Sequence, residues 1–271
     1  MKTKKIAITG ATGFLGAHVM QLFQQESVTT SFLKKETQDL FIPQSLSELL
    51  IGASAVVHLA GANRDTNYKL AKVNLLGTVR LMEAMRLYCP KAALIFASSV
   101  QAAWKNSFYG WSKRCAEEVI GYESRSRGMR AVVLRFSNLY GPGGRPFYNS
   151  AISTFAHLIQ SGKPIVVHGD GKQIRDYLYV KDAALAIFRS VMYRGVEICP
   201  VIDVCSGERV SINGLIHTMS KLVGKEISVS YAPSPNKESV LPICSFSRAS
   251  QILGWEPTTL IYEGLGRTLG L

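Results

Sequence analysis

The chain alternates between short apolar runs and segments of helical periodicity. Residues 5–9 (KIAIT) are a β-branched apolar run that breaks at Gly10, after which Val19, Met20, Leu22 and Phe23 recur with three- and four-residue spacing. The pattern repeats with strands at 28–33, 54–60 (SAVVHLA), 92–97 (AALIFA) and 130–136. Helical segments lie between them: a short one starting at Pro43 (Leu46, Leu49, Leu50), a long one over 67–88 and another over 108–126. A further strand between 34 and 52 is hard to find, so that region is abbreviated. Strands alternating with helices in this way predict an α/β chain with a doubly wound parallel sheet, whose ligands lie at the carboxyl ends of the strands. After about residue 145 the rhythm changes. A helix is expected up to Gln160, then a strand over 163–167 and a turn-rich loop over 168–173. A helix over 182–193 and a run at 201–205 could return to the main sheet, and the proline-bearing remainder reads as a smaller lobe.

The candidate chemistry sits where strands end. Gly10-Ala11-Thr12-Gly13-Phe14-Leu15-Gly16 follows the first strand directly and opens a helix. Glycines there allow a tight turn and close backbone approach, and the helix start offers free N–H groups to a pyrophosphate. This is the context of a dinucleotide loop, with Gly-x-x-Gly-x-x-Gly spacing. At the end of the second strand, where an acidic residue would bind the adenosine ribose for NAD use, Lys34 and Lys35 stand instead. They suit a 2′-phosphate, hence NADP, or form a solvated loop pair. His58 reads as packed or loop-facing rather than as a base, and the small residues after it in Leu59-Ala60-Gly61 let a nicotinamide ribose approach. Asn74 on an apolar helix face needs partners: a water, a backbone carbonyl near a site, or its own neighbourhood. Ser98-Ser99 ends the strand over 92–97, and Tyr109 and Lys113 follow one helical turn apart on one face. Alone, that spacing fits an amphipathic helix with a snorkelling lysine; beside Ser99 and the glycine loop it fits a proton relay, since an ammonium stabilises a phenolate.

Composition narrows the class. Of 271 residues, 47% are hydrophobic and 18% charged, as in a soluble globular protein, and no apolar run is long enough to span a bilayer. The start of the chain reads as a first strand rather than a signal peptide. The formal net charge of +12 would suit nucleic acid, but no basic block with interleaved aromatics accompanies it, so no nucleic-acid partner is expected. Steering of small phosphorylated ligands, or a solvated basic surface, is the alternative. The five cysteines are scattered without a Cys-x-x-Cys, which suits a reducing cytoplasm and leads to no expectation of a metal.

Taken in order, the motifs resemble the extended short-chain dehydrogenase/reductases, in the branch that acts on nucleotide-diphosphate sugars (the epimerase, dehydratase and reductase group). The matching residues are Gly10, Gly13 and Gly16; His58-Leu59-Ala60-Gly61; Asn74 with Gly77-Thr78; Ser98-Ser99; and Tyr109-Gly110-x-Ser112-Lys113. Arg135-x-x-Asn138-x-Tyr140-Gly141-Pro142 follows, then Gly169-Asp170-Gly171-x-Gln173-x-Arg175-Asp176, Tyr179-Val180-x-Asp182 and Leu253-Gly254-Trp255-x-Pro257. The resemblance implies a Rossmann-like sheet with a smaller C-terminal substrate-binding lobe. The expected cofactor-binding domain is 1–145, with 176–205 returning to it; the expected sugar-nucleotide lobe is 146–175 and 206–271.

It also implies roles. Tyr109 would be the acid/base, Lys113 its pKa-lowering partner and a nicotinamide ribose contact, and Ser99 a hydrogen-bond partner of the same sugar oxygen. The cofactor would touch Gly10, Thr12, Gly13, Phe14, Leu15, Gly16, Lys34, Lys35, Leu59, Ala60, Gly61 and Asn74, with Asp39-Leu40 near the adenine. Asn138, Asn149 and Arg175 would contact the sugar nucleotide, Arg175 facing the diphosphate. Dehydratases of this branch carry an Asp-Glu pair just after the active Ser or Thr; here Val100 and Gln101 stand there. The compressed Ser99–Tyr109 segment and the run 147–152 look closer to reductases of keto-deoxy sugar nucleotides. The expected activity is an NADP(H)-preferring reductase of a nucleotide-linked 4-keto sugar, NAD(H) remaining possible. A 4-epimerase with tightly held NAD and a catalytically silent cofactor sensor are the alternatives. A homodimer through the helices over 67–88 and 108–126 is expected.

Overall fold

The computed structural model describes residues 5–34, 37–104, 107–234 and 244–271. The chain divides into two compact units: Met1–Phe136 with Ala184–Asp203 and Ser247–Trp255, and Ser137–Ala183 with Val204–Phe246 and Glu256–Leu271. Of the expected returning stretch 176–205, the part from Ala184 to Asp203 lies in the first unit. Residues 137–145 lie in the second unit, and 247–255 in the first.

The first unit begins with β1 (Lys5–Thr9), α1 (Phe14–Gln25) and β2 (Thr30–Phe32). A 3-10 turn at Pro43–Leu46 and α2 (Ser47–Leu50) lead into β3 (Ala53–His58). The long helix over 67–88 is in three parts: α3 (Asn67–Leu70), a π-helical stretch at Ala71–Leu76, and α4 (Gly77–Tyr88). Next come β4 (Ala93–Ser99), a 3-10 turn at Val100–Ala103, α5 (Phe108–Arg127) and β5 (Ala131–Phe136). α5 starts and stops where its sequence dictates. Ser107 caps it by accepting from Gly110 N at 3.0 Å, and Gly128 ends it at φ +69°.

The second unit carries β6 (Asn138–Tyr140), α6 (Ala151–Gln160), β7 (Ile165–His168), β8 (Ile174–Arg175) and β9 (Tyr177–Tyr179). α7 (Val180–Met192), which passes into the first unit at Ala184, and β10 (Val201–Val204), part of the first unit up to Asp203, follow in the chain. Then come β11 (Val210–Ser211), α8 (Ile212–Val223), β12 (Val229–Ala232) and α10 (Ile261–Leu269) of the second unit, with α9 (Ser247–Leu253) of the first unit before α10.

The main sheet has the order β10-β5-β4-β3-β1-β2. β1 pairs in parallel with both β2 and β3, and β3, β4 and β5 continue in parallel. The run at 201–205 thus returns to the sheet as its outer strand beside β5. Among the described residues β2 is the edge of this sheet, and none between 37 and 52 forms a further strand of it. β3 and β5 are buried at nearly every position, as expected for strands covered on both faces. Leu49 and Leu50 of α2, Leu81 and Met85 of α4, Ala116 and Ile120 of α5 and the apolar residues of the strands form one core. The direction of the chain reverses at β1: β2 lies on one side of it and β3 on the other. In a doubly wound sheet that reversal opens a crevice at the strands' carboxyl ends, which here are Thr9 and His58.

The second unit has its own core. Tyr140 and Tyr179 are fully buried edge to face at 5.7 Å, beneath α6, α8 and α10. α10 approaches so closely that a Cβ at Gly264 would lie 2.0 Å from the Tyr140 hydroxyl. Its strands pair as β6–β9 and β7–β12 in parallel and β8–β11 antiparallel. Among the described residues no helix is long and apolar enough to cross a membrane.

In the first unit, Phe23 of α1 packs edge to face on Phe188 of α7, with 5.9 Å between ring centroids. Phe23 is fully buried, so Phe23→Ala is expected to cost about 3–5 kcal/mol of unfolding free energy. Denaturant unfolding monitored by circular dichroism checks this; a loss under about 1 kcal/mol would mean that the returning segment does not anchor on α1.

Candidate active site

The glycine loop is built as the spacing suggests. Gly10 has φ +75°, and a Cβ there would lie 2.6 Å from Ala60 N. A Cβ on Gly16 would lie 2.1 Å from Gly10 O, so α1 packs directly against the loop it follows. Gly13 is the N-cap of α1 and no side chain caps that helix. The first-turn N–H groups are therefore left to a ligand or to water. Thr12 and Gly13 are exposed, and Phe14 and Leu15 partly so. A pyrophosphate fits this donor set, and side chains at Gly10 and Gly16 would not.

Beside the loop, the end of β3 is locked by a buried polar chain whose direction can be read. Thr78 Oγ1 spends its proton on Asn74 O at 2.7 Å, so at 3.1 Å it accepts from Nε2–H of His58. His58 Nδ1 then accepts from Thr9 Oγ1 at 2.6 Å, and Thr9 in turn accepts from Ala60 N at 3.3 Å. Burial, reinforced by the Lys113 cation, pushes the His58 imidazolium down to about 3. His58 is thus a neutral connector of one tautomer, not a proton donor.

Asn74 sits in the π-helical stretch, a distortion often found at functional positions. Its amide exchanges two hydrogen bonds with the backbone of Ala62, at 2.9 and 2.8 Å, and donates to Ser112 Oγ at 2.9 Å. Ser112 Oγ donates to Tyr109 O at 2.8 Å. Asn74 therefore holds a backbone carbonyl, one of the partners expected for it, and couples the 60–62 loop to α5. A Cβ on Gly61 would come within 3.1 Å of Lys113 Nζ and 3.2 Å of Asn74 Oδ1. Gly61 leaves that approach open.

Lys113 is 5% exposed, yet its ammonium is provided for. Nζ donates to Ala97 O at 2.8 Å and lies 4.9 Å from the centre of the Phe96 ring. Burial lowers its pKa to about 8, against the opposing pull of Glu117. Ser99 Oγ accepts from Gln101 N at 3.2 Å, capping the 3-10 turn and keeping its proton for another acceptor. Lys113, Asn74 and Gly61 thus converge in the first unit; Ser99 ends the same strand as Ala97, which Lys113 binds, and Tyr109 lies one helical turn before Lys113.

Sequence reasoning missed the anchor of this arrangement. Tyr109, Lys113 and Glu117 recur at four-residue spacing along one face of α5. Glu117 is buried and pairs with Arg135 of β5 at 2.6 Å (Nη2 to Oε2) and 2.9 Å (Nε to Oε1), and it accepts from Ser98 Oγ of β4. The only sequence signal was the spacing from Lys113.

Other predicted positions are less engaged. Lys34 is exposed and pairs with Glu48 at 3.5 Å, and Lys35 lies outside the described residues. Asp39 Oδ1 accepts from Phe41 N at 2.9 Å, and Leu40 packs beneath Gly77. In the second unit, Asn138 donates through Nδ2 to Asp176 O at 2.9 Å, and Arg175 donates to Ile174 O at 2.8 Å. Asn149 Oδ1 accepts from Arg145 N at 2.6 Å, near the start of α6.

A parallel sheet with a glycine loop at its reversal point and a Ser, Tyr and Lys at the end of β4 and the start of α5 defines a dinucleotide-dependent enzyme fold. The sequence model of the NAD dependent epimerase/dehydratase family matches residues 6–195, and the chain belongs to that family, an extended short-chain dehydrogenase/reductase. A UDP-glucuronate 4-epimerase of Thermodesulfobacterium geofontis is 31% identical over 235 residues, covering 80% of this chain and 71% of that protein. A UDP-2-acetamido-2,6-beta-L-arabino-hexul-4-ose reductase of Pseudomonas aeruginosa is 32% identical over 190 residues, covering 69% of this chain and 49% of that protein. Among solved structures, RMD from Pseudomonas aeruginosa complexed with NADPH superposes with a TM-score of 0.86 at 25% identity, covering 99% of this chain and 98% of that one.

Removing the Glu117 carboxylate would leave the partly buried Arg135 without this two-point partner and the buried Ser98 hydroxyl without its acceptor. Glu117→Ala is expected to cost about 3–5 kcal/mol, measured by urea unfolding. A loss below about 1 kcal/mol would reduce the pair to an ordinary surface contact.

Proposed function

We propose that this chain is an NADP(H)-preferring reductase of a nucleotide-diphosphate-linked 4-keto sugar. The observation that carries the reading is the connection between Ser99 and Tyr109. It is short, it contains no Asp or Glu, and its 3-10 turn is tied to the start of α5. Gln101 Oε1 accepts from Ser107 Oγ at 2.9 Å, and a Cβ at Gly110 would lie 2.3 Å from Gln101 O. Val100 is buried. Neither residue can serve as the acid or base that expelling water from a sugar would need. Lys34 in place of a ribose-binding carboxylate supports the NADP preference, as does the NADPH complex of a structural relative.

In this reading the bound nicotinamide supplies the hydride. Tyr109 gives its phenolic proton to the substrate carbonyl oxygen as the carbon is reduced, so that no free alkoxide forms. Ser99 donates a hydrogen bond to the same oxygen. Lys113 stabilises the phenolate and turns its remaining N–H donors to the cofactor ribose. The glycine loop with Thr12, Phe14 and Leu15 receives the pyrophosphate, Leu59 to Gly61 and Asn74 frame the nicotinamide ribose, and Asp39 and Leu40 border the adenine. Asn138, Asn149 and Arg175 are assigned to the sugar nucleotide, Arg175 through its forked donors to the diphosphate. Two copies would pair through the helices over 67–88 and 108–126, where Tyr68, Leu76, Leu87, Trp111 and Tyr122 are exposed.

The second reading is a 4-epimerase, favoured by the 31% identical relative of that activity. Freshly purified protein separates the two. A reductase emerges largely without cofactor and consumes NADPH in proportion to product on a panel of 4-keto sugar nucleotides. Tightly held, self-regenerating NAD would overturn the reductase reading.

Tyr109→Phe is expected to lower turnover by about two to four orders of magnitude with unchanged circular dichroism; unaltered turnover would remove Tyr109 from the chemistry. A pH profile tests Lys113. Its ammonium is charged below about 8 and neutral above, so reduction should fall as pH rises through that value. Lys113→Arg, charged throughout, should be slower but lack that limb; the same limb in both proteins would assign it to another group.

A further inference from the structure

We propose that Asp176, Cys205 and Cys244, in the second unit, form a binding site for one thiophilic divalent cation of the zinc type. The site is separate from the chemistry proposed above and does not depend on it. The two sulfurs and a carboxylate oxygen all lie within 4.8 Å of one another. A tetrahedral zinc ion, with bonds of about 2.3 Å to sulfur and 2.0 Å to oxygen, needs its ligand atoms about 3.5–3.8 Å apart. Closing the observed triangle onto an ion therefore asks for shifts of about an ångström or less at each atom. Both cysteines are buried and none of the chain's five cysteines is in a disulfide.

The carboxylate is already aimed. Asp176 Oδ1 accepts from Ser137 Oγ at 2.6 Å and from Ser206 N at 3.0 Å, which uses both of its lone pairs. Among the described residues Oδ2 accepts one hydrogen bond, from Gly207 N at 2.7 Å, which leaves a lone pair to meet a metal. Ligating carboxylates are commonly held by such hydrogen bonds, which fix their orientation. Two of the three donors are the backbone amides that follow Cys205, so one short turn presents a sulfur and orients the oxygen.

Two sulfurs select zinc, cadmium or cobalt over magnesium or calcium. Both cysteines are free thiols in the structure, so both sulfurs are available to an ion. Binding is balanced by proton loss: each thiol releases one proton as its sulfur joins the ion, and the ion's two charges offset the two thiolates. Water completes the fourth position.

The three ligands come from separate parts of the chain: the link between β8 and β9, the residue after β10, and the approach to α9. An ion would join them. It would also hold Asp176, whose carbonyl receives both the backbone and side-chain N–H of Asn138 and whose neighbour is Arg175. The role assigned is a structural staple beneath those two residues.

The test uses the whole chain, reduced and stripped of metal. Cobalt(II) should produce a thiolate-to-metal absorption band with tetrahedral visible bands. These should saturate at one ion per chain with release of about two protons. Cys205→Ser and Cys244→Ser should abolish the thiolate band or weaken binding at least tenfold, while Cys115→Ser should not. Zinc should raise the melting temperature of the wild type and slow alkylation of Cys205 and Cys244, mapped by peptide mass; this measurement needs no variant to fold. The proposal is overturned if cobalt gives no thiolate band, if zinc protects other cysteines or none, or if the pair oxidises to a disulfide and the reduced protein takes up no metal.

Discussion

Much of the first unit turns on a carboxylate taken out of water. Glu117 lies beneath α5 and is held by Arg135 and Ser98, on β5 and β4. Desolvating such a pair is costly, and the cost is met only when the geometry is good and the remaining lone pairs are satisfied. Both conditions hold, because the guanidinium approaches side-on and the serine hydroxyl takes up further capacity. The pair fixes the rotation of α5 about its own axis. Lys113 and Tyr109 lie on the same face one and two turns before it, so their direction is set by a contact away from the site. The same carboxylate offsets part of the penalty on the buried Lys113 ammonium.

A second constraint is the ordered chain from Ala60 through Thr9, His58 and Thr78 to the carbonyl of Asn74, whose side chain continues to Ser112. Each hydroxyl in it accepts one bond and donates another, so reversing one link would require reversing its neighbours. A neutral histidine suits this use, because it has one donor and one acceptor on opposite sides of a rigid ring. The π-helical stretch turns Asn74 onto the loop at Ala62 while the helix continues unbroken to Tyr88. Here a local departure from regular helix serves a side chain that an ideal helix would have aimed elsewhere.

The strands of the sheet and the loop after β1 were legible in the sequence, because apolar runs bounded by glycine and small residues leave few alternatives. Asn74 was also visible as a polar residue on an apolar face. The π-helical turn around it was not, since Ala71-Lys72-Val73-Asn74-Leu75-Leu76 has no composition that distinguishes it from ordinary helix. β2 is shorter than its apolar run, because pairing with β1 reaches only from Thr30 to Phe32. The Glu117–Arg135 pair was hidden for another reason: Arg135 stood in a recognised motif, but Glu117 looked like an ordinary helix charge until the fold brought helix and strand together. The cluster of Asp176, Cys205 and Cys244 was hidden in the same way, because its members share no motif.

The outer position of β10 bears on how the chain comes to be folded during synthesis. β5 is complete at Phe136, but the strand that covers its free edge is Val201–Val204. While the intervening residues emerge from the ribosome, the nascent first unit presents the unpaired N–H and C=O groups of a parallel strand that is apolar apart from Arg135. Such an edge is a template for association with other chains. The pairing that closes it spans a long stretch of sequence and is slow for that reason. The interval between these two strands is therefore a period in which the nascent chain carries an open sheet edge.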